Sequence, residues 1–250
     1  MENFMKKIYE TDFSALNPVQ KYEFMYHFSD LAIESFASYP FEVVVQAQLL
    51  IFTRWWNSYR LMAPECPTPP IVDIIIQKFW DFQEGTLSLS EFQQFTKCLS
   101  AVVLEINTGD SSELEADASC QDFMDNYFND WDGLNFYSSF FSEISIQLIA
   151  IAEHDISWSS ILEILEGDLA DIKLGFFEDI YEPSRYTANE LKQHFQEVYN
   201  TPTFCKIIEL LQKDMRTALE KKTITELRNL YKNEFLFAPE ICAKITEEWS

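Results

Sequence analysis

Thr201-Pro-Thr-Phe-Cys-Lys-Ile-Ile-Glu-Leu-Leu-Gln-Lys-Asp-Met-Arg-Thr-Ala-Leu219 decides the fold. A hydroxyl that can cap a helix precedes a proline, whose fixed φ suits the first helical turn. Phe204, Ile208, Leu211, Met215 and Leu219 then recur every three or four residues, which makes one apolar stripe at 3.6 residues per turn. Phe136, Phe140, Ile144, Leu148 and Ile151 repeat the pattern. Both stripes read as core rather than as a cofactor pocket.

Outward from that stretch the same punctuation recurs. Asn17-Pro18 and Pro69-Pro70 offer helix starts, while Ser88 with Glu91, Thr187 with Glu190 and Thr223 with Glu226 fit the capping box, in which hydroxyl and carboxylate satisfy free backbone amides. The spacing predicts helices over 18–38, 42–62, 70–82, 89–107, 118–129, 134–154, 158–180, 187–199, 202–221, 224–235 and 239–249. Val43-Val44-Val45 could instead be a short strand, but one strand without a partner makes no sheet. Only 5 glycines in 250 residues argue against glycine-rich phosphate loops and hairpin-rich sheets. The expectation is an all-α protein of about ten helices in a single domain, residues 1–250. The loop Thr108–Ser119, rich in small polar residues, is where an internal boundary would fall.

Composition narrows function mainly by exclusion. The chain is 47% apolar, with 22 Phe, 11 Tyr and 6 Trp, so it can build a core despite a formal charge of −23. No stretch approaches the roughly 18 apolar residues of a spanning helix, and the N-terminal residues lack a signal-peptide core. A soluble cytoplasmic protein without membrane contact is expected. The five cysteines, Cys66, Cys98, Cys120, Cys205 and Cys242, show no Cys-x-x-Cys spacing and read as reduced thiols, mostly buried.

Charge is unevenly distributed. Residues 105–182 hold 19 acids and 1 base, Lys173, whereas residues 183–250 hold 10 of each. Such a field repels nucleic acid and anionic membranes and attracts basic proteins. Within it, Asp122, Asp125, Asp130 and Asp132 interleave with Phe123, Tyr127, Phe128 and Trp131. Aromatic anchors beside carboxylates suit a cationic, partly apolar partner, because the rings supply contact area and the acids take Arg and Lys. The competing account is an amphipathic helix with its rings in its own core and its acids in water. Asp168 and Asp171 belong to a second acidic series that could extend the same face.

Catalytic signatures are thin. The histidines are His27, His154 and His194, with no His-Glu-x-x-His, nucleophile elbow or Walker loop. Glu23 with His27 and Glu190 with His194 are spaced i, i+4, unlike the Glu-x-x-His of di-iron bundles. His154-Asp155 resembles the central pair of the helical HD-type metal phosphohydrolases, whose further His and Asp ligands have no counterpart here. Trp80 to Glu91 looks like an EF-hand loop, with Gly85 at the turn, but Trp80 and Phe82 occupy two ligand positions. A helix, a turn at Gly85 and a new helix capped by Ser88 account for it better. No catalytic residue, metal site or cofactor is assigned.

In overall character, an acidic helical protein with the aromatic-acidic segment Asp122–Asp132 resembles the bacterial immunity proteins that neutralise polymorphic or contact-delivered toxins. The resemblance implies a cytoplasmic antidote that binds a cognate toxin domain, often a basic nuclease, and occludes its active site. The residues that would carry this are Asp122, Asp125, Tyr127, Asp130, Trp131 and Asp132, extended by Asp168 and Asp171. The alternatives are a helical metal-dependent hydrolase using His154 and Asp155, and a nucleic-acid-mimicking inhibitor of a phage-defence complex.

Overall fold

A computed structural model describes residues 7–62, 70–108, 118–120, 144–154, 158, 187–220, 222–237 and 239. After a short 3-10 turn, Phe13–Ala15, come α1 (Pro18–Tyr26), α2 (Phe28–Phe36), α3 (Phe41–Met62), α4 (Pro70–Gln83) and α5 (Leu89–Thr108). Helical residues follow at 118–120 and 144–152, then α6 (Ala188–Tyr199), α7 (Pro202–Ala218) and α8 (Ile224–Tyr231). The fold is all-α, and no strand occurs among the described residues. Val43–Val45 lie inside α3.

The starts follow the side chains. Asn17 with Gln20, Thr187 with Glu190 and Thr223 with Glu226 form complete capping boxes, and the Ser88 hydroxyl accepts from the Glu91 amide at 3.3 Å while the Glu91 carboxylate accepts from the Ser88 amide at 2.9 Å. Two ends depart from the expectation. The helix expected over 18–38 is broken at His27, whose φ of −104° and ψ of 14° are not helical. The helix expected over 224–235 stops at Tyr231, because tertiary donors replace its intrahelical partners. Asn57 Nδ2 donates to the carbonyls of Tyr231 at 2.9 Å and Glu234 at 2.9 Å, and Arg54 Nη1 donates to that of Phe235 at 3.1 Å.

The chain divides into two compact units, and the division falls within α3, between Ala47 and Gln48. The first unit is Met1–Ala47 with Trp158–Lys221. Its core includes Phe13, Phe24, Phe28, Phe204, Ile208, Leu211 and Met215, so the stripe of α7 faces inward as expected. Phe13 meets Phe24 edge-on at 5.3 Å, and Phe36 stacks on Trp158 at 5.5 Å. Gln212, buried inside, is paired: its Nε2 donates to the carbonyls of Ile8 at 2.6 Å and Thr11 at 2.8 Å. Lys21, buried in α1, donates to Asn200 Oδ1 at 3.2 Å and to Cys205 Sγ at 3.3 Å.

The second unit is Gln48–Ser157 with Lys222–Ser250, so the described residues on both sides of the interval 109–117 belong to it. Trp55, Trp56, Phe79, Trp80 and Phe92 are buried there with Ile144, Leu148 and Ile151. The last three are the described members of the second stripe; Phe136 and Phe140 lie outside the described residues. Two of these buried indoles meet the need of a buried N–H for an acceptor within the unit: Trp80 Nε1 donates to Thr53 Oγ1 at 3.0 Å and Trp56 Nε1 to Asp73 Oδ1 at 2.8 Å. Arg228 Nη1 ties α8 to α4 by bonds to Asp81 at 3.0 Å and Glu84 at 2.7 Å.

The expectation that all five cysteines are reduced is corrected for two. Cys98 of α5 and Cys120 form a disulfide, with their Cα atoms 4.8 Å apart across 22 residues of sequence. Motif spacing cannot reveal such a pair, since helix packing alone decides whether two distant Cα atoms come within bridging distance. Cys205 is a free thiol.

Candidate functional site

The eight residues singled out for partner binding, Asp122, Asp125, Tyr127, Asp130, Trp131, Asp132, Asp168 and Asp171, all lie outside the described residues. What the structure gives is the frame on either side of the first six. At residues 119–120 the chain is held to α5 by the disulfide and by Gln94, whose amide donates to Ser119 Oγ at 2.9 Å. From residue 144 it is helical again, with Ile144 and Leu148 buried. Here Gln93 of α5 donates to the Ala152 carbonyl at 3.2 Å. Gln93 and Gln94 of α5 thus reach the described chain on both sides of the interval 121–143, at Ala152 and at Ser119.

Between α5 and the stretch 144–152 lies a cavity of about 330 Å³, lined by Gln93, Thr96, Lys97, Ser100, Ile149, Ala152 and Glu153. Its amide, hydroxyls, ammonium and carboxylate can hydrogen-bond a small polar molecule. Among the described residues, no histidine or cysteine lines it. Sequence reasoning missed it. The available signal was the polar series Gln93, Lys97 and Ser100, spaced four and three residues apart on a largely apolar helix.

His154 follows the helical stretch 144–152, and its φ is +61°. Its amide donates to the Ile151 carbonyl at 3.1 Å, so the residue ends the helix in the left-handed conformation usually given to glycine. Asp155 lies outside the described residues. His154→Gly should therefore stabilise the second unit by roughly 0.5–1 kcal/mol, relief of left-handed strain outweighing the greater freedom of the unfolded chain. Urea unfolding of the pair of proteins measures it; a destabilised variant would mean that the imidazole itself supports the fold.

The segment resembling an EF-hand is a helix–turn–helix. Gly85, at φ +73°, closes α4 with its amide donating to the Phe82 carbonyl at 3.1 Å, and Glu84, which stands at the fifth ligand position, pairs with Arg228 together with Asp81. No group of three or more His, Cys, Asp or Glu side chains suited to a metal occurs among the described residues. His27, the residue between α1 and α2, lies 3.8 Å from Asp30 in the first turn of α2.

Glu91 is where a carboxyl is held below its usual range, chiefly by the Ser88 hydroxyl and then by the Ser88 amide. A depressed carboxyl contributes stability above its unfolded-state pKa, near 4.3, and loses it as pH falls through the lower folded value. The stability difference between the protein and Glu91→Gln should accordingly shrink on acidification from neutrality to below that range. Denaturation midpoints at several pH values test this, and a difference constant with pH would remove the charge from the cap's contribution.

Among the described residues no helix is long and apolar enough to cross a membrane. Comparison of the chain with protein-family models, with curated proteins and with solved structures finds no match.

Proposed function

We propose that the protein is an acidic binding protein of the immunity type: it captures a basic protein domain, a nuclease-like toxin being the partner of best chemical fit, and blocks its active site. The observation that carries this is the concentration of 19 acids against 1 base in residues 105–182. A charge excess of that size has a self-repulsive cost that a solvated face alone does not require, and electrostatic capture of a cationic partner turns it into a gain in association rate. Asp122, Asp125, Tyr127, Asp130, Trp131 and Asp132 form the proposed contact surface, with Asp168 and Asp171 extending it. Action takes place in the cytoplasm and needs no cofactor or catalytic step of its own.

The use of His154 as a helix terminator and the pairing of Asp81 and Glu84 with Arg228 favour this over metal-dependent hydrolysis. The decisive experiment is co-expression with toxins encoded beside its gene, followed by purification of the complex and metal analysis. A stable complex that abolishes the toxin's activity, with no stoichiometric metal, is the expected result. Stoichiometric metal bound by an isolated protein that turns over phosphate esters would replace it with the hydrolase reading.

A further inference from the structure

Cys98 and Cys120 are both buried, with 4% and 1% of their surface exposed. Thiol–disulfide exchange needs a thiolate to reach one sulfur, so the closed structure denies a reductant its approach. The two flanks of the bridge are unequal. Cys98 sits in the middle of α5, between buried Phe95 and Leu99. On the other flank, Ala118 and Ser119, which precede Cys120, are exposed. Beside the bridge, the exposed Gln94 reaches from α5 to Ser119 Oγ at 2.9 Å and to Cys98 Sγ at 3.7 Å. Opening is therefore easier on the Cys120 side, whose neighbours are exposed, than at Cys98, whose neighbours are buried.

We propose that the Cys98–Cys120 disulfide is a redox-responsive staple on α5, whose reduction is gated by local opening of residues 118–120. When 118–120 lifts, a thiolate of a dithiol reductant attacks Cys120 Sγ. The S–S bond breaks and Cys98 leaves as a thiolate that takes a proton from water. The reductant's second thiol then displaces Cys120 from the mixed disulfide. Two electrons pass to the protein, which ends with two thiols, and the reductant ends as a disulfide. In a reducing compartment the pair would be opened by this exchange, and in an oxidising one it would stay closed. The inference is independent of the partner proposed above, although the staple ends two residues before Asp122 and so sets how firmly the chain is held to α5 at that border.

The test uses the full chain equilibrated in oxidised glutathione and then exposed to dithiothreitol at neutral pH, with samples quenched by N-ethylmaleimide and mapped by peptide mass spectrometry. Reduction of the native protein should be at least about tenfold slower than in urea. Gln94→Ala, which keeps both cysteines, should accelerate it about fivefold, the effect of one hydrogen bond near 1 kcal/mol on the opening equilibrium. Reduction should lower the melting temperature of the second unit by about 5–10 °C, the loss of a closed loop of this size. Cys98→Ser with Cys120→Ser should make melting insensitive to the reductant. Should the double variant fail to fold, the rates for the native chain and Gln94→Ala decide alone. Labelling of Cys98 and Cys120 by maleimide before any reductant is added, or equal reduction rates in native buffer, in urea and in Gln94→Ala, would overturn the proposal.

Discussion

Arg54→Ala should destabilise the second unit by about 3–5 kcal/mol, a large part of the roughly 5–15 kcal/mol available to a folded domain. The guanidinium is 1% exposed and pairs with Glu234 at 2.6 Å. It donates to the Phe235 carbonyl and lies 5.1 Å from the Tyr231 ring. Truncation removes these bonds, strands a carboxylate that is only 31% exposed, and leaves a void where a long side chain was packed. Asn57 and Ser58, on the next turn of α3, complete the same anchor. Ser58 Oγ accepts from the Leu236 amide at 2.7 Å and the Phe237 amide at 3.1 Å. Ser58→Ala should cost about 1–3 kcal/mol through those two unpaired donors. Urea midpoints with unchanged slopes would give both values. A loss below about 1 kcal/mol for Arg54→Ala would show that apolar packing of Tyr231, Leu236 and Phe237 alone holds this turn.

Charge reversal at Asp125, Asp130 and Asp132 should slow association with a basic partner by at least about tenfold at low salt, steering fields being worth 10- to 1,000-fold in rate. The deficit should shrink as salt rises, because the Debye length contracts from about 30 Å at 0.01 M to about 10 Å at 0.1 M. Trp131→Ala should act differently. A desolvated aromatic anchor governs dissociation, and its truncation costs about 2 kcal/mol or more, roughly thirtyfold in affinity. Surface plasmon resonance at two salt concentrations separates the two effects. Unchanged rate constants for a folded charge-reversed protein would reduce the acidic run to a solvated face and move the interface elsewhere.

What the sequence determined by itself was local. Thr187, Thr201 and Thr223 accept backbone amides at the first turns of α6, α7 and α8, and the stripe from Phe204 to Met215 is buried. Capping and periodicity act within one or two turns of chain, so neighbouring residues suffice to specify them. The imbalance of 19 acids against 1 base is likewise a sequence property, and the binding hypothesis rests on it. The tertiary structure decided what depends on distant partners. α8 ends at Tyr231 because Asn57, more than 170 residues away, takes its carbonyl. Cys98 reaches Cys120 because the helices that carry them pack together, and Lys97 and Glu153 share a cavity for the same reason. In each case a long-range contact outweighs the intrinsic preference of a few residues, which is worth less than about 1 kcal/mol per position.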